Sequence, residues 1–174
     1  QIPVVLVLFI TEILFDDEDM SIDGHSKDQL YKKYGIFLTD FHTNTLIQRG
    51  KKVIFNTNKS THYLFKGKFQ GFEHLVKREN KYNNKRQYDR DWANRIHWVK
   101  LILDNWDKGG VSYFEEYNNN NELQYFYWVQ SLEFIIILRV VSPNLLLVTL
   151  YCVDTDNVSY FRKKLNKYRD GLKK

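Results

Sequence analysis

His74, Lys77 and Arg78 stand at i, i+3 and i+4 within Gly71–Asn80, a spacing that puts an imidazole and two cations on one side of an expected helix. Arg95 falls one residue before Ile96 of a later apolar stripe, and either approaches the sheet from the stripe's edge or pairs with Asp91, four residues earlier. Thr149 and Tyr151 alternate with Leu150 in an otherwise apolar run, so both hydroxyls project to one face of a strand. Lys163 and Lys164 on a basic final helix are phosphate-binding candidates. Trp128 and Tyr127, on opposite faces of a strand, leave one aromatic ring free to stack on a base.

A set of His, Lys, Arg, Thr and Tyr suits one reaction in particular, cleavage of RNA by its own 2′-hydroxyl. The substrate brings the nucleophile, and the protein adds a base, an acid and cations for the charge on the phosphorane. His74 is then the acid or base, Arg78 and Arg95 stabilise charge, and Thr149 with Tyr151 positions the phosphate. Lys77, Trp128, Lys163 and Lys164 hold the rest of the substrate. Each also has a structural reading: Thr is a common strand former, a lysine face is commonly just solvated, and His97 beside Trp98 is explained by packing.

Other chemistries lack their parts. There is no cysteine pair, no His-x-x-x-His, no glycine-rich phosphate loop and no serine elbow. Glu115, Glu116 and Glu122 lack the following strand lysine that a magnesium nuclease site would have. The expected chemistry therefore needs neither metal nor cofactor. One cysteine, Cys152, cannot form an internal disulfide, which points to a reducing compartment such as the expected cytoplasm, or to indifference about redox.

The elements that must position these residues can be read from periodicity. KDQLYKKYG suggests a helix stopped at Gly35, and KKVIFNT and THYLFKG read as two short strands. GFEHLVKREN reads as a short helix. RDWANRIHWVKLILDNW reads as one longer helix, with Trp92, Ile96, Val99, Leu103 and Trp106 forming a single stripe. The period then changes to two. VSYFEEY and ELQYFYWVQ flank Asn118 to Asn121 in a hairpin, and EFIIILRVVS and LLLVTLYCVD flank Pro143 and Asn144 in a second. NVSYFRKKLNKYRDGLKK closes as a helix with Val158, Phe161, Leu165 and Tyr168 inward. The expected class is α+β: N-terminal helices packed on a four-stranded antiparallel sheet, with a basic C-terminal helix.

At 174 residues the chain fits one domain. Residues 1–50 form an acidic and apolar N-terminal segment, and residues 51–174 a single α+β domain. The opening run IPVVLVLFITEILF has no basic flank, is interrupted by Glu12 and is too short to span a bilayer, so no membrane role is expected. Charge comes in blocks: −4 over residues 1–50, +9 over 51–100, −6 over 101–156 and +6 over 157–174. Two basic blocks that met in space would form a surface suited to a phosphate backbone.

His74-Leu75-x-Lys77-Arg78-Glu79-Asn80, then Arg95-Ile96-x-Trp98-Val99, a Tyr-rich hairpin and Leu147-Val148-Thr149-x-Tyr151 together resemble the phage-type barnase/EndoU/colicin/RelE-like (BECR) ribonuclease superfamily. The resemblance covers about residues 60–170, and the Asn-rich stretch at 80–86 departs from that family's tighter spacing. It implies a metal-independent endoribonuclease, a toxin or phage-associated effector acting on tRNA or mRNA, with an immunity protein or antitoxin as a further partner. By carry-over His74 matches the catalytic histidine, Arg95 the basic position of the long helix, and Thr149 the hydroxyl residue of the final strands. The competing reading is a non-catalytic nucleic-acid-binding module of a phage or mobile-element protein, which needs only the basic surface and stacking aromatics.

Overall fold

A computed structural model describes residues 27–79 and 85–173. The N-terminal apolar run and the lysine at position 81 lie outside it.

The chain begins with helix α1 (Lys27–Phe37), which runs into a π-helical turn (Leu38–Thr43). Gly35 does not stop the helix. It is exposed and its φ is not positive, while Phe37 and Phe41 beyond it extend the buried face begun by Leu30. Burying each such side chain is worth about 1.5–3 kcal/mol, more than the ~1 kcal/mol helix penalty of one glycine. Strands β1 (Ile47–Gln48) and β2 (Lys51–Ile54) follow, joined through Arg49 and Gly50, both at positive φ. Residue 50 thus lies in a hairpin turn, and Leu30, Phe37, Phe41 and Leu46 before it share the main core.

THYLFKG is a closed loop and not a strand. Phe65 is fully buried, whereas Tyr63 is exposed, and the backbone folds back through Ser60–Lys68 and Gly67–Ser60 hydrogen bonds. Helix α2 (Gln70–Leu75) ends sooner than its sequence suggests, because Lys77–Glu79 becomes strand β3 and pairs antiparallel with β4 (Arg86–Tyr88). The expected long helix splits into α3 (Arg90–Asn94), N-capped by Asp89 through Trp92 N–H, and α4 (Trp98–Asp104). A tight turn at residues 95–97, with i to i−3 hydrogen bonds, separates them, yet Trp92, Ile96, Val99 and Leu103 all stay buried.

Strands β5 (Ser112–Tyr117), β6 (Leu123–Val129), β7 (Phe134–Val141) and β8 (Asn144–Cys152) form the two expected hairpins. The asparagine run works as turn chemistry: Asn121 takes the left-handed conformation, and the Asn118 side chain accepts N–H groups of Asn120 and Glu122. The sheet, however, is not four-stranded and antiparallel. It has six strands in the order β1-β2-β8-β7-β6-β5, and β2 runs parallel to β8, with Val53 opposite Leu145 and Ile54 opposite Leu146. The four-residue β2 carries too few residues for its sequence to reveal its partner.

One sheet face, with Tyr127, Phe134, Ile136, Leu138, Leu147 and Leu150, packs with Phe37, Phe72, Val99 and Leu103 from the helices. The other face, with Phe114, Phe126, Trp128, Ile135 and Ile137, is covered by α5 (Thr155–Gly171) through Phe161 and Leu165. Among the described residues no helix is long and apolar enough to cross a membrane.

A polar cavity where strand β2 leaves strand β8

The parallel pairing of β2 with β8 extends over two residue pairs and then stops. Beyond Ile54 the chain turns away, and α2 moves in beside β8. Gly71 makes this approach close: a Cβ there would lie 3.0 Å from the Asn56 carbonyl oxygen and from two Phe55 atoms. The same loop caps the helix. The Asn56 and Asn58 carbonyls accept the N–H groups of Gly71 and Gln70 at 2.9 and 2.7 Å, and Asn56 Nδ2 donates to Gln70 Oε1. These would otherwise be orphan donors of the first helical turn.

A cavity of about 540 Å³ opens between α2, the 56–62 loop, the β3–β4 ribbon and the Leu146–Val148 edge of β8. Its polar lining carries His62, Glu73, His74, Lys77, Arg86 and Arg139. Two imidazoles, three cations and one carboxylate thus face one space. Among the described residues no three His, Cys, Asp or Glu side chains gather to hold a metal ion.

His62 is held by its own loop. Its N–H donates to Ser60 Oγ at 3.1 Å, its Nδ1 accepts from Leu64 N–H at 3.3 Å, and its ring packs on Phe65. An accepting Nδ1 assigns the hydrogen of the neutral ring to Nε2. His74 sits in the last turn of α2 and remains solvent-exposed. Partial desolvation nonetheless lowers its pKa, the Arg86 charge lowers it further, and Glu73 opposes them. His74 is therefore neutral, and able to accept a proton, over a wider pH range than a free imidazole.

Glu73 organises the cations. Lys77 Nζ donates to Glu73 Oε1 at 2.8 Å across the bend between α2 and β3. Burial pushes the carboxyl pKa up, but hydrogen bonds from Lys77 and Ser60, with the Lys77 and His62 charges, bring it below the ordinary value. Arg86 Nη2 donates to the carbonyls of His74 and Lys77 at 3.0 and 2.7 Å, fastening β4 to the C-terminal end of α2. Arg139 on β7 is braced by Glu122 at 2.9 Å.

Of the residues expected from sequence, His74 and Lys77 meet here, though Lys77 arrives from a strand and not from the helix of His74. Arg78 alternates to the other side of β3 and pairs with Asp154 at 3.1 Å. Arg95 lies against Cys152 Sγ and over the Trp98 ring at 5.2 Å, outside the cavity lining. Thr149 follows the lining residue Val148 but turns its hydroxyl to the Leu150 carbonyl. Tyr151 is described only as backbone, paired with Ile135. Trp128 is 1% exposed and packs on Phe161, so it offers no surface to a base. Lys164 is ion-paired with Glu116 and Lys163 faces a separate hollow near the end of α5, so neither reaches the cavity.

His62, Glu73, Arg86 and Arg139 are the members that the motif reading misses. His62 hides in a segment that reads as a strand, and Arg86 in one that reads as loop. Arg139 had a signal, a cation interrupting the continuous apolar run of β7. Compared with known protein families, curated proteins and solved structures, the chain finds no match.

Proposed function

We propose that the protein is a metal-independent endoribonuclease whose centre is the cavity between α2 and β8. The observation that carries this reading is the convergence there of His62 and His74 with Lys77, Arg86 and Arg139. In this mechanism neutral His74 takes the proton of the ribose 2′-hydroxyl. The oxygen attacks the adjacent phosphorus, the bond from phosphorus to the 5′-oxygen breaks and that oxygen takes a proton from solvent water, while the Nε2–H of His62 donates a hydrogen bond to the charged phosphorane. Lys77, Arg86 and Arg139 stabilise the charge on the phosphorane, in a partly desolvated site where charge stabilisation is most effective. Glu73 positions Lys77 through their ion pair. The products are a 2′,3′-cyclic phosphate and a free 5′-hydroxyl.

The reading agrees with the resemblance to BECR ribonucleases at His74 and moves the remaining roles to other residues. It places the protein among RNA, in a reducing compartment such as the cytoplasm. An acidic immunity protein or antitoxin has a complementary target in the cationic cavity. The test is incubation of the purified chain with single-stranded RNA in excess chelator, with product ends identified by mass. Cleavage that ends in cyclic phosphate and is lost in both His62→Ala and His74→Ala supports the proposal. Intact RNA, or cleavage unchanged in both variants, refutes it.

A further inference from the structure

A second cavity of about 360 Å³ adjoins the first and shares three lining residues with it, His62, Lys77 and Arg86. Both volumes fall in the range, roughly 300–1,000 Å³, that holds a small ligand. Lys77 and Arg86 therefore stand between the two hollows, where a phosphate linking two nucleosides would sit.

The second hollow has an aromatic wall. Tyr63 is 86% exposed, although Phe65, two residues on in the same loop, is fully buried. The loop thus spends its apolar anchor on Phe65 and leaves the Tyr63 ring in solvent. That ring lies 4.6 Å from the His62 ring at an interplanar angle of 31°, so it packs over the imidazole while most of its surface stays open to solvent. An exposed ring beside a phosphate-binding junction has the arrangement used to stack a base of single-stranded nucleic acid.

Resting on the endoribonuclease reading, we propose that the second hollow is a nucleotide subsite, in which Tyr63 stacks the base flanking the scissile phosphate and thereby selects single-stranded RNA. A duplex keeps its bases paired and stacked inside the helix and cannot present one to Tyr63.

The experiment uses the full chain and a labelled single-stranded oligonucleotide with 2′-deoxyribose throughout, which lacks the internal nucleophile and stays intact. Binding is followed by fluorescence anisotropy. Tyr63→Ala should weaken binding about tenfold, the loss of one stacked base, and Tyr63→Phe should retain it. A duplex of the same sequence should compete at least about tenfold less well. Equal binding by wild type and Tyr63→Ala, failure of Tyr63→Phe to rescue, or equal competition by duplex would overturn the subsite. Because the ligand is not cleaved, the outcomes separate. Loss of binding in Tyr63→Ala with no cleavage of RNA by wild type keeps the subsite and removes the catalytic reading. Histidine-dependent RNA cleavage with no effect of Tyr63 does the reverse.

Discussion

Replacing Gly71 and Gly35 by alanine, one at a time, should move stability in opposite directions although both lie in helices. Gly35 sits well inside α1, is exposed, and has nothing within 4 Å of where a Cβ would be. Alanine there removes only the glycine penalty, a gain of about 0.5–1 kcal/mol. For a chain of this size that raises Tm by roughly 1–4 °C. Gly71 is the second residue of α2, where the propensity gain is smaller, and the new Cβ meets Asn56 O and two Phe55 atoms at 3.0 Å. Two of those neighbours are backbone oxygen and Cβ, which cannot swing aside as a side-chain tip can. Overpacking of this kind costs about 1–3 kcal/mol, so a net loss of about 1–2 kcal/mol and a fall in Tm of roughly 2–8 °C are expected. Thermal unfolding followed by circular dichroism, at one pH and protein concentration, measures both. The same displacement carries Glu73 and His74 away from β8, and a shift near 1 Å is enough to lower catalysis about 10²-fold. A Gly71→Ala protein as stable as wild type would refute the claim that this glycine sets the approach of α2 to β2 and β8.

His62→Ala and His74→Ala should each lower RNA cleavage about 10²–10⁴-fold, while Arg78→Ala and Arg95→Ala, outside the cavity, should keep most of it; the opposite ranking in single-turnover assays would relocate the site. Burial first and the Arg86 charge second depress the His74 pKa, so the acidic limb of kcat/KM should fall below the ordinary imidazole value, and Arg86→Gln should move it upward. Because His74 binds its proton less tightly in the folded state, its effect on stability is absent above the ordinary value of 6.5 and destabilising as pH falls through it. Asp40 goes the other way: burial raises its pKa from 3.8 to about 6, Lys100 opposing and Asp104 adding. Its carboxylate therefore costs stability above pH 6, and that cost is relieved as pH falls toward 3.8. Asp40→Asn should gain on the order of 1 kcal/mol after allowance for screening; denaturant midpoints at pH 8 that coincide with wild type would contradict it.

The antiparallel half of the fold was legible because β5 to β8 are long, rich in aromatic and branched apolar residues, and joined by turns whose residues announce themselves. Asn118 and Asn121 do chemically what their types suggest. The α5 stripe was legible for the same reason. What escaped was decided by a few residues in tertiary context: β2 pairs with β8 across about 90 residues of sequence, and Phe65 and Tyr63 take opposite environments inside seven residues of loop. The site followed the same division. His74 and Lys77, expected as neighbours on one helix face, both line the cavity, though Lys77 reaches it from β3. Arg78 and Arg95 looked equivalent to Lys77 by charge, but strand alternation and the break at residues 95–97 turn them toward Asp154 and Cys152. His62 and Arg86 come from a loop and a three-residue strand, where no period exists to point at them.

The two-pair junction of β2 with β8 also sets a time. The cavity's walls come from the loop after β2, from α2 and the β3–β4 ribbon, and from Arg139 and residues 146–148. The hairpins of β5 to β8 need only neighbouring sequence and can form early, whereas the wall bearing both histidines must wait for β8 before it has anything to close against. During synthesis, residues 56–86 leave the ribosome some 60 residues before β8 does. On the endoribonuclease reading proposed above, the cleaving centre stays unassembled beside the very RNA that encodes and translates it, and becomes competent only as the final strand is completed.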